Sequence, residues 1–171
     1  MCRVWPAACA PWNCGWIRPV LSVENPADLA AHIGDPIGPG PWRAVTEAQI
    51  AAFAGLSGDD HWIHTDPARA AKETSFGGVI AQGFLTLSMT TSMLQEGLQV
   101  RCAARWFNYG MERLRFTAPV RAGDRLRLRG TLAAVEPAAG GGTRIEIDVV
   151  VELEGAAKPA LVGRSILLAF A

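Results

Sequence analysis

The stretch from Thr74 to Gln95 constrains this chain more than any other, because it contains no Asp, Glu, Lys or Arg. Roughly 20 apolar residues suffice to cross a bilayer. Here, however, Gly77, Gly78, Gln82, Gly83 and the hydroxyl residues between Thr86 and Ser92 interrupt the run. A buried helix over Gln82–Gln95 in a soluble fold is the better reading. Phe84, Leu85, Leu87, Met89, Met93 and Leu94 fall on nearly every side of it. Such a helix must be wrapped by other structure.

The wrapping has to come from the downstream half of the chain, where the period changes to two. Trp106–Phe116 holds two candidate strand runs interrupted at Tyr109-Gly110, and Pro119–Asp124 reads as a turn. Arg125, Arg127 and Arg129 alternate with Leu126, Leu128 and Gly130. Beyond a glycine-rich hairpin loop, Ala138–Gly142, the residues Ile145, Ile147, Val149, Val151 and Leu153 alternate with Arg144, Glu146, Asp148 and Glu152. Alternation of this kind marks strands with one buried face. One arm shows arginines to solvent and the other mostly acids. Opposed charges across strands are mildly stabilising, so this is a solvated sheet face and not a binding patch. A turn at Gly155–Pro159 leads into a last strand, Leu161–Phe170. One apolar helix followed by a long antiparallel meander can be buried only if the sheet curls around it. The expected class is therefore α+β, in the arrangement called a hot-dog fold, with no internal repeat and no second domain.

Upstream, helix-start signals come in succession. Asn25-Pro26 opens a short helix that ends before Gly34. Pro36–Pro41 is a turn-rich connector and Trp42–Val45 a short strand. Thr46-Glu-Ala-Gln49 is a capping box that starts a helix at Glu47, with Gly58 just past its end. Asp66-Pro67 starts another, running to about Glu73. The polar loop from Gly58 to Thr65 is thus held at both ends. Residues 1–21, rich in Pro, Trp and Cys without period, are expected to be a poorly ordered extension, and residues 22–171 the folded domain.

Sixteen basic and sixteen acidic residues give no net charge. A nucleic-acid binder would need a basic face, so that class is set aside. Cys2, Cys9 and Cys14 crowd the start while Cys102 lies far downstream, which is not the spacing of a secreted disulfide scaffold. Three clustered cysteines without a nearby His also fall short of a structural zinc site. Pro6, Pro11, Asn13 and Pro19 interrupt what would be the apolar core of a signal peptide. The expected location is the cytoplasm.

The chemistry-bearing residues gather in the tethered loop. Two of the three histidines, His61 and His64, sit there with Asp59 and Asp60. A carboxylate beside an imidazole activates water: Asp holds or deprotonates, and His moves the proton near neutral pH. On spacing alone, Asp59 capping local amides and His64 packing in a turn is the commoner arrangement, and catalysis stays open beside it. Asp59, His61, His64 and Asp66 are also considered as metal ligands, but Asp66 is accounted for as a helix cap and no metal-helix spacing is present. Gly83 opens the buried helix, so its amide N–H is unpaired within that helix and has the positive dipole end behind it. Such an amide suits an oxygen that gains negative charge. On local grounds alone, a glycine that merely permits close helix–sheet packing is the preferred reading.

Three stretches carry a resemblance: Phe53-Ala-Gly-Leu-Ser-Gly-Asp59, Ile63-His-Thr-Asp-Pro67 and Phe76-Gly-Gly-Val-Ile-Ala-Gln-Gly-Phe-Leu-Thr-Leu-Ser88. In this order they resemble the MaoC-like dehydratases, or hydratase-2 enzymes. Trp62-Ile-His-Thr-Asp-Pro67, Phe107-Asn-Tyr-Gly110 and Arg113-Leu-Arg-Phe116 look most like the nodulation-protein-N branch, with similarity over roughly Ser22 to Phe170. The resemblance implies a hot-dog domain that adds or removes water across the double bond of an enoyl thioester of coenzyme A or an acyl carrier. It implies Asp59 and His64 as the water-activating pair and the Gly83 amide as the thioester-oxygen site. Gln82, Phe84, Trp62, Phe76 and Gly78, which flank these positions in the matched stretches, are expected to bind substrate. It further implies a homodimer and no nicotinamide, flavin or metal. Two positions depart from the pattern: His61-Trp62 stands where many members have Asn-Pro, and Gln82 where many have His. Gln cannot exchange a proton but keeps its hydrogen-bonding capacity. The competing classes are a non-catalytic acyl-binding hot dog and a thioesterase on the same fold.

Overall fold

The longest hydrophobic alternations of the chain are also its longest strands. In a computed structural model, which describes residues 21–171, the elements in chain order begin with β1 (Leu21–Val23), a 3-10 turn (Pro26–His32), β2 (Pro36–Ile37) and β3 (Arg43–Ala44). Three short helices follow, α1 (Glu47–Ser57), α2 (Trp62–Thr65) and α3 (Pro67–Glu73), then the long α4 (Gly83–Gly97). The chain ends in β4 (Leu98–Val100), β5 (Arg105–Phe116), β6 (Arg125–Ala138), β7 (Gly142–Leu153) and β8 (Leu161–Phe170). The expected extension and its three cysteines lie outside the described residues, except Leu21, which opens β1.

The main sheet runs β2-β6-β7-β8-β5, all antiparallel, with β3 also on β6. Its inner face is the alternation read from sequence: Leu126, Leu128 and Leu132 of β6 and Ile145, Ile147, Val149 and Val151 of β7 are buried. Full burial of each such side chain contributes about 1.5–3 kcal/mol. The outer face carries the charges. Arg127 Nε donates to Glu152 at 2.6 Å across the β6–β7 register, and Arg164 grips Asp148 through Nε at 2.6 Å and Nη2 at 2.8 Å. These pairs hold side chains flat on a wet surface, as the opposed charges imply. The hot-dog arrangement is present: α4 lies against the inner face of the sheet, burying Leu85, Thr86, Thr90, Met93 and Leu94.

Several expectations need correction. Tyr109-Gly110 does not break the strand; β5 is continuous and absorbs the irregularity as a register shift between Asn108 and Gly110, with a second between Glu112 and Arg115. An extra residue in one strand is accommodated by a bulge without ending the ladder. The polar loop contains a helical turn, α2. Three short strands, β1, β2 and β4, had no periodic signature; β1 pairs β4 in parallel, Leu21 against Leu98. Finally, α4 is not wrapped on every side. Phe84 is 63% exposed, and Ser88, Ser92 and Gln95 continue the same exposed stripe. Beside it, β5 is an edge strand that shows Trp106, Phe107, Tyr109 and Phe116 to solvent. No described helix is long and apolar enough to cross a membrane.

Candidate functional site

The loop after α1 is built to hold a fixed shape. Thr46 Oγ1 accepts from the Gln49 amide at 3.2 Å and Gln49 Oε1 accepts from the Thr46 amide at 2.8 Å, so α1 starts where the capping box places it. It stops at Gly58, whose φ of 76° lies in the left-handed region that a glycine enters without cost. Ser57 Oγ donates to the Phe53 carbonyl at 2.6 Å and accepts from the Asp59 amide at 3.3 Å. At the far end the Asp66 side chain caps α3 by accepting from the Arg69 amide at 2.9 Å. Between them, Thr65 Oγ1 lies 2.9 Å from the Asp60 carbonyl and 3.3 Å from that of His61.

His64 is 9% exposed and points out of this loop into a cavity. Its Nδ1–H donates to the Ile80 carbonyl at 2.7 Å, and the Ile80 amide donates back to the Ile63 carbonyl at 3.1 Å. A carbonyl can only accept, so this bond assigns the proton of the neutral ring to Nδ1. The free lone pair is then on Nε2, which faces Asp59 Oδ2 at 3.9 Å. That distance is too long for a direct hydrogen bond. Two acceptors therefore converge without touching, one nearly buried and one half exposed.

The cavity holds about 320 Å³ and is lined by His64, Ile80, Gly83, Thr86, Phe116 and the stretch from Thr117 to Val120, among others. Gly83 is the first residue of α4, and no bond to its amide is found among the described residues. The ring of Phe116 rests on Gly83: a Cβ built there would lie 2.9 Å from Cδ2 and Cε2. Phe84 meets the same ring edge-on, with centroids 5.9 Å apart.

His64 and Gly83 thus line one cavity, and Asp59 stands beside His64 without being among the lining residues. The other expected residues fall elsewhere. Gln82 is 1% exposed and turned into the protein, away from the cavity. Phe84 lies on the open stripe of α4. Trp62 packs partly into the core with the Arg69 guanidinium 4.3 Å from its ring centroid. Phe76 and Gly78 sit in the turn before Ile80 and are not among the lining residues. Sequence reasoning missed the Ile80 carbonyl, Thr86 and Phe116. All three lie in stretches that carry the resemblance, Ile80 and Thr86 within Phe76–Ser88 and Phe116 at the end of Arg113-Leu-Arg-Phe116, but nothing in those stretches marks them as facing the cavity. Among the described residues no three His, Cys, Asp or Glu side chains are grouped as metal ligands.

Comparison with known proteins shows the family and the fold. Residues 28–152 match the family model of the MaoC like domain. The chain is 40% identical over 144 residues to 3-hydroxyacyl-thioester dehydratase Z of Mycobacterium tuberculosis, covering 84% of this chain and 95% of that protein. It is 38% identical over 136 residues to Nodulation protein N of Rhizobium leguminosarum bv. viciae, covering 79% and 84%. Among solved structures, the (R)-hydratase of A. caviae involved in PHA biosynthesis superposes with a TM-score of 0.63 at 25% identity, over 79% of this chain and 94% of that one.

Proposed function

The chain belongs to the MaoC-like domain family, and from that membership we propose that it is a hydro-lyase acting on the double bond of an enoyl thioester. One observation carries the reading: the Nε2 lone pair of His64 and Oδ2 of Asp59 face each other at 3.9 Å, and His64 lines a cavity that Gly83 also lines. A water about 2.8 Å from each acceptor spans that gap and directs one proton to each. Its own lone pair is left free for attack.

In the hydration direction the water oxygen bonds to carbon 3 while His64 Nε2 takes one proton and Asp59 holds the other. The electron pair of the double bond moves toward the thioester carbonyl, whose oxygen gains charge and is met by the Gly83 N–H at the positive end of α4. The proton on His64 passes to carbon 2. One H and one OH have been added, the two groups are restored, and nothing is oxidised or reduced. Dehydration is the reverse. The tautomer fixed by Ile80 matters here, because a proton on Nε2 would remove the base.

The exposed surface supports pairing of two copies. Phe84, at the head of the otherwise polar α4 stripe, and the solvent-facing aromatic residues of edge strand β5 form one aromatic face, and among the described residues β5 has an unpaired edge. Such faces mark interfaces, so a homodimer is part of the reading, as is a cytoplasmic place of action. The test is loss of enoyl absorbance with a crotonyl-type thioester. Asp59→Asn and His64→Ala should each lose roughly 10²–10⁴-fold in kcat. Wild-type turnover in both variants would refute the assignment. Release of free thiol in place of absorbance loss would make the protein a thioesterase.

A further inference from the structure

Gln82 was expected at the substrate, yet its side chain is among the most buried polar groups in the molecule, at 1% exposed. Its amide nitrogen donates in two directions at 3.3 Å, to the backbone carbonyl of Asp59 and to that of Ile50 in α1. Its amide oxygen, Oε1, is buried with no hydrogen-bond partner among the described residues. The orientation is unambiguous: turning the amide over would set its oxygen against two carbonyl oxygens and lose both bonds. An apolar side chain of similar size would avoid the orphaned oxygen altogether. The group is therefore retained for its two N–H donors.

Those donors reach a particular place. Ser57 Oγ holds the Asp59 amide from one side, and Gln82 holds the Asp59 carbonyl from the other. The backbone on both sides of the Asp59 side chain is thereby fixed. The residue that does this is the immediate neighbour of Gly83, and its own carbonyl accepts the first intrahelical bond of α4, from Thr86 at 3.2 Å. We infer that Gln82 is a positioning residue: it sets the Asp59 carboxylate relative to His64 by tying the Asp59 backbone to α1 and to the start of the helix that presents the Gly83 amide. It makes no contact with substrate. One side chain thus couples the water-activating side of the site to the oxygen-binding side. This inference rests on the hydro-lyase reading for its catalytic consequence, but not for its structural one.

The experiment uses the full chain with Gln82→Leu and Gln82→Glu. Hydrogen exchange is followed over residues 58–66, with α4 and β7 as internal references, alongside kcat and KM for the enoyl thioester. Leu removes both donors, so loop exchange should speed up at least about tenfold while the references hold; kcat should fall about 10- to 100-fold with KM within about twofold, since misplacement on the order of 1 Å costs that much. Glu supplies a donor only while protonated, so its kcat should fall with rising pH across a range where wild type is flat. Unchanged loop exchange in Gln82→Leu overturns the inference, whatever the activity. A rise in KM at constant kcat overturns it too, by placing Gln82 on the substrate. Should Gln82→Leu fail to fold, the pH profile of Gln82→Glu decides, and a profile parallel to wild type overturns the inference. A wild-type chain without hydratase activity would sink the hydro-lyase reading, while the exchange result would still report whether Gln82 holds the loop.

Discussion

Replacing Gly83 with Ala separates the stability of this fold from its chemistry. The added Cβ would lie 2.9 Å from Phe116 Cδ2 and Cε2 and 3.0 Å from Cγ, closer than carbon atoms pack. The ring, 44% exposed, is free to swing. Moving it forfeits the edge-on contact with Phe84, worth about 0.5–1.5 kcal/mol. Against this, Ala at the start of a helix recovers up to about 1 kcal/mol over Gly. The terms nearly cancel, so thermal stability should stay within about 1 kcal/mol, or roughly 2–4 °C for a chain of this size. Activity should not survive as well. On the proposed reading the displaced ring and the new methyl occupy the wall that would meet the thioester oxygen, where a shift on the order of 1 Å costs about 100-fold. Thermal melting and enoyl-absorbance kinetics on the same samples give both numbers. Adding Phe116→Ala to Gly83→Ala removes the obstructing ring and should recover at least about tenfold of the lost rate, a coupling expected of residues in contact. Wild-type turnover in Gly83→Ala would refute the reasoning, as would a double variant no better than the single one.

Packing and charge set three further outcomes. Ile147→Ala, at a fully buried site on the inner sheet face, should cost about 2–5 kcal/mol, read as a lowered urea midpoint. Thr46→Ala removes the α1 cap and should cost about 1 kcal/mol, seen as faster amide exchange in the first turn of α1. The bidentate hydrogen bonds from Arg164 hold the Asp148 carboxyl below its ordinary 3.8; burial opposes them, and the charges of Arg164 and Arg113 add smaller downward effects. A depressed folded value means the pair stabilises above 3.8 and is lost as pH falls through that folded value. Half exposed and screened, it should contribute no more than about 1 kcal/mol. Asp148→Asn should therefore melt slightly lower than wild type at pH 7, with the gap closing in acid below about pH 3.8.

Much of the fold was legible because its signals are local. The Thr46/Gln49 box, the stop at Gly58 and the Asp66-Pro67 start act within one turn of backbone, and α1 and α3 begin and end where these residues place them. The alternation of β6 and β7 is longer than any chance run, so strand identity and inward face could be read from it. The strands β1, β2 and β4 were invisible because two or three residues carry no period; only their partners make them strands. The open stripe of α4 was misread for a related reason. Apolar residues on every side of a helix state that it is to be covered, but not which of its faces a single chain covers.

At the site the division is the same. Residue types alone left Asp59, His64 and Gly83 open to capping and packing roles; the resemblance of the surrounding stretches to the MaoC-like dehydratases is what singled them out. What tertiary structure decided is how they are aimed. The Ile80 carbonyl selects the His64 tautomer, the Phe116 ring lies over Gly83, and Gln82 turns inward to grip Asp59. Each of these is a contact between residues distant in sequence and depends on a direction in space, and a pattern along one dimension carries no directions.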